Sequence, residues 1–137
     1  MAQEKSCGAV VFTKINNEIK YLLVRNLAGT YGFPKGHVEH SETEEETAHR
    51  EILEEVGLRV ELIPGFRSEE EYALPDKKDT RKRVVYFLGE YSDLDFTYQK
   101  EELSGAFLLS YGEAMDALQF ESSRRILTEA NDFLFGK

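Results

Sequence analysis

The 137 residues suit one compact domain, and 41% hydrophobic content with nine Phe and seven Tyr supplies the apolar material for a real core. Seventeen Lys and Arg against 26 Asp and Glu give a formal charge of −9, a balance that repels nucleic-acid backbones and argues against a stable nucleic-acid partner. The longest apolar runs, such as AVVF (9–12) and YLLV (21–24), are too short to cross a bilayer, and the opening MAQEKSCGAVVF lacks the order of a secretory leader, so no membrane partner and a cytoplasmic setting are expected.

In chain order, SCGAVVFT (6–13) and IKYLLVR (19–25) read as strands rich in branched and aromatic residues, joined by hairpin-turn chemistry in INNE. Cys7, the sole cysteine, falls in the first strand; it excludes an internal disulfide and reads as a buried, inert thiol. NLAGTYGFPKG (26–36) reads as a loop punctuated by three glycines and a proline. A helix follows. Ser41 and Glu44 fit a capping box at its start, Gly57 fits its C-terminal cap, and Ala48, Ile52 and Val56 form an apolar stripe.

LRVELIPGF (58–66) and EEEYAL (69–74) are strand material interrupted at Pro64-Gly65. PDKKDTRKR (75–83) reads as a polar loop with five basic residues. Without interleaved aromatics it is not an RNA-binding patch. VVYFLGEY (84–91) is the clearest later strand, with another short one at 104–109. YGEAMDAL (111–118) and ESSRRILTEANDFLF (121–135) read as helices, the second amphipathic through Ile126, Leu127, Ala130, Phe133 and Leu134. Residues 1–137 therefore read as one α/β domain without repeats or linkers.

The charge is not spread evenly. Residues 36–58, GHVEHSETEEETAHREILEEVGL, hold eight carboxylates and one arginine, which is −7 of the total −9. At about 100° per residue, Glu51, Glu54 and Glu55 share one helix face at positions i, i+3 and i+4, about a third of a turn from the apolar stripe. Like charges at that spacing repel and raise one another's pKa. A hard divalent cation reverses both effects, because oxygen ligands are what it prefers. Arg50, beside them, can hold a neighbouring carboxylate as a bidentate donor.

Gly36, Glu42, Arg50, Glu51, Ile52, Glu54, Glu55, Gly57 and Leu58 fill every fixed place of the Nudix box: Gly, five residues, Glu, seven residues, Arg-Glu-aliphatic, one residue, Glu-Glu, one residue, Gly-aliphatic. The chain resembles Nudix hydrolases, and the resemblance implies an α/β/α sandwich with a mixed sheet between helices. It also implies cleavage of a phosphoanhydride in a nucleotide, with Mg²⁺ or Mn²⁺ as cofactor. Carried over, Glu51, Glu54 and Glu55 ligate the metal and one of them activates water. Arg50 orients Glu51, Gly36 offers its carbonyl to the metal, and Glu42 supports the junction into the helix. Hydrolysis of a polyphosphate needs neutralised oxygens and a water of lowered pKa, and clustered metal supplies both.

Three further stretches are similar to the asymmetric diadenosine tetraphosphate hydrolases within that family. GFPKGHVE (32–39) places Lys35 and His37 for phosphate. GFRSEEEYALPDKKDTRKRVVYF (65–87) places Tyr72 to stack on adenine and Lys82 to meet the polyphosphate, with a longer basic loop than the animal enzymes. KEELSGAFLLSYGEAM (100–115) puts Glu102 in the place of an extra metal-binding or base glutamate, with Glu101 a competitor one residue away and Leu108 where tryptophan is usual. The expected substrate is a small dinucleotide cleaved to ATP and AMP. Nucleoside triphosphates, nucleotide sugars and 5′-triphosphate RNA stand as alternative substrates, and a nucleotide sensor without turnover as an alternative role. Oligomeric state is left open by the sequence.

Overall fold

The computed structural model describes residues 2–92 and 95–136. Strand β1 (Ala2–Ile15) is the spine of a mixed sheet. It turns through Asn16 and Asn17, both with positive φ (52° and 68°), into antiparallel β2 (Glu18–Asn26). Two consecutive left-handed residues match the twist of a tight hairpin, and asparagine tolerates them best after glycine. The following segment is not wholly loop: Tyr31–Gly32 (β3) pairs with β2, and Lys35–His37 (β4) pairs with the first half of β1.

Helix α1 spans Glu44–Val56. Its cap is Thr43 with Glu46, each side chain bonding the other's backbone N–H, rather than Ser41 with Glu44. The reason is a turn closed by the Glu42 N–H to the Glu39 carbonyl, with His40 at φ 52°, which keeps Ser41 outside the first helical turn. Gly57 ends the helix in the left-handed conformation expected of it, donating to the Leu53 carbonyl. Ala48, Ile52 and Val56 are buried as their spacing predicts.

Strands β5 (Glu61–Leu62), β6 (Ser68–Ala73), β7 (Thr80–Glu90) and β8 (Leu103–Leu109) complete the sheet, and helices α2 (Tyr111–Ala117) and α3 (Glu121–Leu134) close the chain. The polar stretch 75–83 is loop only to Asp79, because Arg81, Lys82 and Arg83 already lie in β7 opposite β6. There the glutamates of EEEY meet the cations in pairs, Arg81 with Glu71 and Arg83 with Glu69, each at 2.7 Å. β7 runs parallel to β1 and the other pairings are antiparallel.

Alternation along the strands builds two cores. Cys7, Ala9 and Val11 of β1, Leu22 and Val24 of β2, and Val85 and Phe87 of β7 pack beneath α1. Val10, Phe12, Tyr21, Leu23, Val84, Tyr86 and Leu88 pack on the opposite face with Ala114, Leu118, Ile126, Leu127 and Ala130 of α2 and α3. The fold is therefore the expected α/β/α sandwich with a mixed sheet. Among the described residues no helix is long and apolar enough to cross a membrane.

Candidate active site

β2 and β4 both pair with the same edge of β1, one with its second half and one with its first, so the sheet forks between them. A cavity of about 920 Å³ opens at this fork. The register builds its floor. His37, Ser6, Val84 and Glu70 align in one row across β4, β1, β7 and β6, and Lys82 stands opposite Tyr72 in the next row. These residues share the sheet face that α2 and α3 cover further along.

From the other side α1 brings Glu51, Glu54 and Glu55 to the cavity, in three different environments. Glu54 is exposed. Glu55 is 7% exposed, and its Oε1 accepts the Lys35 N–H at 3.1 Å. Burial pushes its carboxyl up to about 7, with Glu51 nearby adding to the rise. Glu51 is also raised by burial, against the opposing pull of Arg50. Gly36 makes room for it: a Cβ there would fall 1.9 to 2.4 Å from the Glu51 carboxyl atoms, so a larger residue displaces that carboxylate.

Arg50 is the hub of the site. Nε and Nη2 donate to both oxygens of Glu42, at 2.7 and 3.0 Å. Nη1 donates to Glu51 at 2.8 Å and Glu54 at 3.1 Å, and Nη2 also reaches the His37 carbonyl at 2.9 Å. The bidentate partner is thus Glu42, which presents both oxygens from the turn ahead of the helix, while Glu51 receives a single bond. Glu42 also accepts from the Thr47 hydroxyl and the Glu39 N–H, and the Arg50 guanidinium holds its carboxyl down at about 2.

The segment after β7 delivers a fourth acid. Thr97 and Gln99 donate their N–H groups to the carbonyls of Val56 and Glu55, clipping the segment to the end of α1. Glu102 follows at the cavity wall, whereas Glu101 does not line it. Among the described residues no three His, Cys, Asp or Glu side chains already enclose an ion-sized site. Arg50 engages Glu51 and Glu54, and the Lys35 N–H holds Glu55. Each of these acids keeps one oxygen outside those bonds, and two of them, buried Glu55 and half-buried Glu51, have raised pKa values. An all-oxygen donor set in that state fits a hard divalent cation.

Lys35, His37, Tyr72 and Lys82 all line the same cavity. Lys82 Nζ lies 3.1 Å from His37 Nε2, and His37 lies 3.4 Å from Glu4. Burial, then the nearby Lys35, lowers the Lys82 pKa. The other basic residues of 77–83 do not join them: Arg81 and Arg83 are held by β6 glutamates, Lys77 pairs with Glu4, and Lys78 does not line the cavity. Ser6, Glu70, Tyr86, Gln99 and Phe120 also line the cavity and were not singled out by the sequence. Strand alternation carried a signal for one of them, since Glu70 lies two residues before Tyr72.

A two-faced mixed sheet with an acidic helix at its fork and an arginine threaded through the acids defines a metal-assisted phosphoanhydride hydrolase architecture. The family model of the NUDIX domain matches residues 5–130, and the chain belongs to the Nudix hydrolase family, whose members use a divalent metal. It is 32% identical over 142 aligned residues to the asymmetrical bis(5′-nucleosyl)-tetraphosphatase of Sus scrofa, covering 95% of each chain, and equally to that of Rattus norvegicus. In structure it is similar to a C. elegans Ap4A hydrolase binary complex, with a TM-score of 0.89, 23% identity, and 98% and 99% of the two chains covered. It is also similar to the NUDIX domain of Shewanella oneidensis NrtR complexed with ADP ribose, at a TM-score of 0.73 and 18% identity, covering 98% and 90%. Identities at that level speak for the fold.

Proposed function

We propose that this protein, acting as a single domain in the cytoplasm, hydrolyses dinucleoside polyphosphates asymmetrically, taking diadenosine tetraphosphate and water to ATP and AMP. The observation that carries the reading is the 32% identity to asymmetrical tetraphosphatases over 95% of each chain, supported by Tyr72, Lys82, Lys35 and His37 meeting the acids of α1 in one cavity. Glu51, Glu54, Glu55 and Glu102, with the Gly36 carbonyl, would hold Mg²⁺ or Mn²⁺. Such an ion, when bound, neutralises phosphate oxygens and lowers the pKa of an attacking water.

This chain's own residues do the rest. Lys35, His37 and Lys82 receive phosphate oxygens along the floor, and Tyr72 stacks on a base. Arg50 fixes Glu51 and Glu54 through its anchor on Glu42, so that acids which repel one another stay in one arrangement. The proton of the attacking water passes to a carboxylate of this set, and the P–O bond to the leaving nucleotide breaks. A substrate panel with Mg²⁺ and product identification tests the assignment. Equimolar ATP and AMP from the tetraphosphate is the expected result; preferential turnover of nucleoside triphosphates with inorganic pyrophosphate as main product refutes it. Glu54→Gln should abolish turnover while leaving nucleotide binding, and undiminished turnover removes Glu54 from the machinery.

A further inference from the structure

The cavity floor holds two polar atoms that the phosphate chemistry does not use. Ser6 is fully buried in β1 and its Oγ has no hydrogen-bond partner among the described residues; Glu70, on β6, is half-buried, with its Oε2 atom shielded and likewise unpartnered among them. Both residues line the cavity and stand in one cross-strand row, two strands apart with Val84 between them. Adjacent strands lie about 4.8 Å apart, so the two residues stand roughly 10 Å from each other on the floor, with Val84 filling the position between. The other oxygen of Glu70 is engaged, since the Tyr86 hydroxyl, buried and pushed well above its ordinary pKa, donates to Oε1 at 3.4 Å. That contact holds the carboxylate with Oε2 as its free acceptor. Buried acceptors left unpaired are costly, and one at the wall of a binding cavity calls for a partner that the cavity admits.

The geometry points to Glu70 as the residue that reads the nucleobase: its Oε2 accepts a hydrogen bond from the exocyclic amino group of a purine stacked on Tyr72. Glu70 and Tyr72 are two apart on one strand and project from the same face, about 7 Å from each other along it. A base lying on the Tyr72 ring therefore presents its edge toward Glu70, while the cations Lys35, His37 and Lys82 stay with the phosphates. A carboxylate acceptor selects for a donor on the base edge and against an edge that lacks one. This inference rests on the dinucleotide reading above and adds the group that sets base preference.

The test compares hydrolysis of diadenosine tetraphosphate with hydrolysis of the same dinucleotide carrying unsubstituted purine in place of adenine. Wild type must first turn over the adenine compound with Mg²⁺; if it does not, the proposed function fails before Glu70 is tested. Given turnover, wild type should prefer the amino-bearing substrate by about 10- to 100-fold in kcat/KM, the scale of one hydrogen bond to a charged group. In Glu70→Ala that preference should vanish, through a higher KM for the adenine compound alone, with kcat and the purine analogue unaffected. Glu70→Gln, which keeps the volume of the side chain, should show a reduced preference and guards against a folding defect in the alanine variant. Retention of the full preference in either variant overturns the inference, as does an equal loss on both substrates.

Discussion

Glu55→Gln should make the metal-free protein more stable, and the size of the effect follows from where the residue sits. Its carboxyl is buried and raised from 4.5 to about 7. A carboxyl whose folded pKa exceeds its unfolded one binds more protons when folded, so its contribution to stability is fullest below pH 4.5 and is lost as the pH climbs through 7. At pH 8 the ionised carboxylate costs about 3 kcal/mol, and at pH 5 about 1 kcal/mol. An amide keeps the oxygen that accepts the Lys35 N–H and carries no charge, though its NH₂ needs a new partner. The expected gain is about 2 kcal/mol at pH 8, or roughly 6 °C in melting temperature for a chain of this length, shrinking toward zero at pH 5. Thermal melts with chelator at both pH values read it directly. Adding Mg²⁺ should raise the wild-type melting temperature more than that of the variant, because the ion relieves a charge the amide lacks. A variant that is no more stable than wild type at pH 8, or equally shifted at both pH values, refutes the strain assigned to Glu55.

The helix cap separates two residues close in sequence: Thr43→Ala should lose about 1 kcal/mol in a denaturant melt while Ser41→Ala loses next to nothing. Arg50→Lys keeps the charge but not the fork on Glu42, and should lower kcat by about 10- to 100-fold with the secondary structure intact by circular dichroism. Tyr72→Ala should raise KM for a dinucleotide by roughly 5- to 150-fold, the worth of one stacked base, whereas Tyr72→Phe, which keeps the ring, should stay near wild type.

The acids of α1 were legible because their spacing alone puts them on one helix face, and helical geometry needs no knowledge of the rest of the chain. What they meet was not legible. That Arg50 forks onto Glu42 depends on a turn at residues 39–42, and the same turn moved the cap from Ser41 to Thr43. Lys82 is legible as a candidate, but the stretch that holds it reads as loop. Only the pairing of β6 with β7 shows why it alone of Arg81, Lys82 and Arg83 faces the cavity. Ser6 and Glu70 lie 64 residues apart and share a row only through Val84 on a third strand. No local pattern encodes that register, because β1 and β7 bury valines on both faces, Val10 and Val84 on one and Val11 and Val85 on the other.

The parallel pairing of β1 with β7 also constrains how the chain comes together. Every pair in that ladder joins residues 78 apart, from Ala2 with Thr80 to Phe12 with Glu90. Strand β1 therefore waits, during synthesis, for a segment 78 residues further on before one of its edges is satisfied. Until then only the edge of β1 that takes β2 and β4 can pair. Closure of this long loop is slow relative to local pairing. Residues of β7 contribute to both cores, so neither is complete until that step.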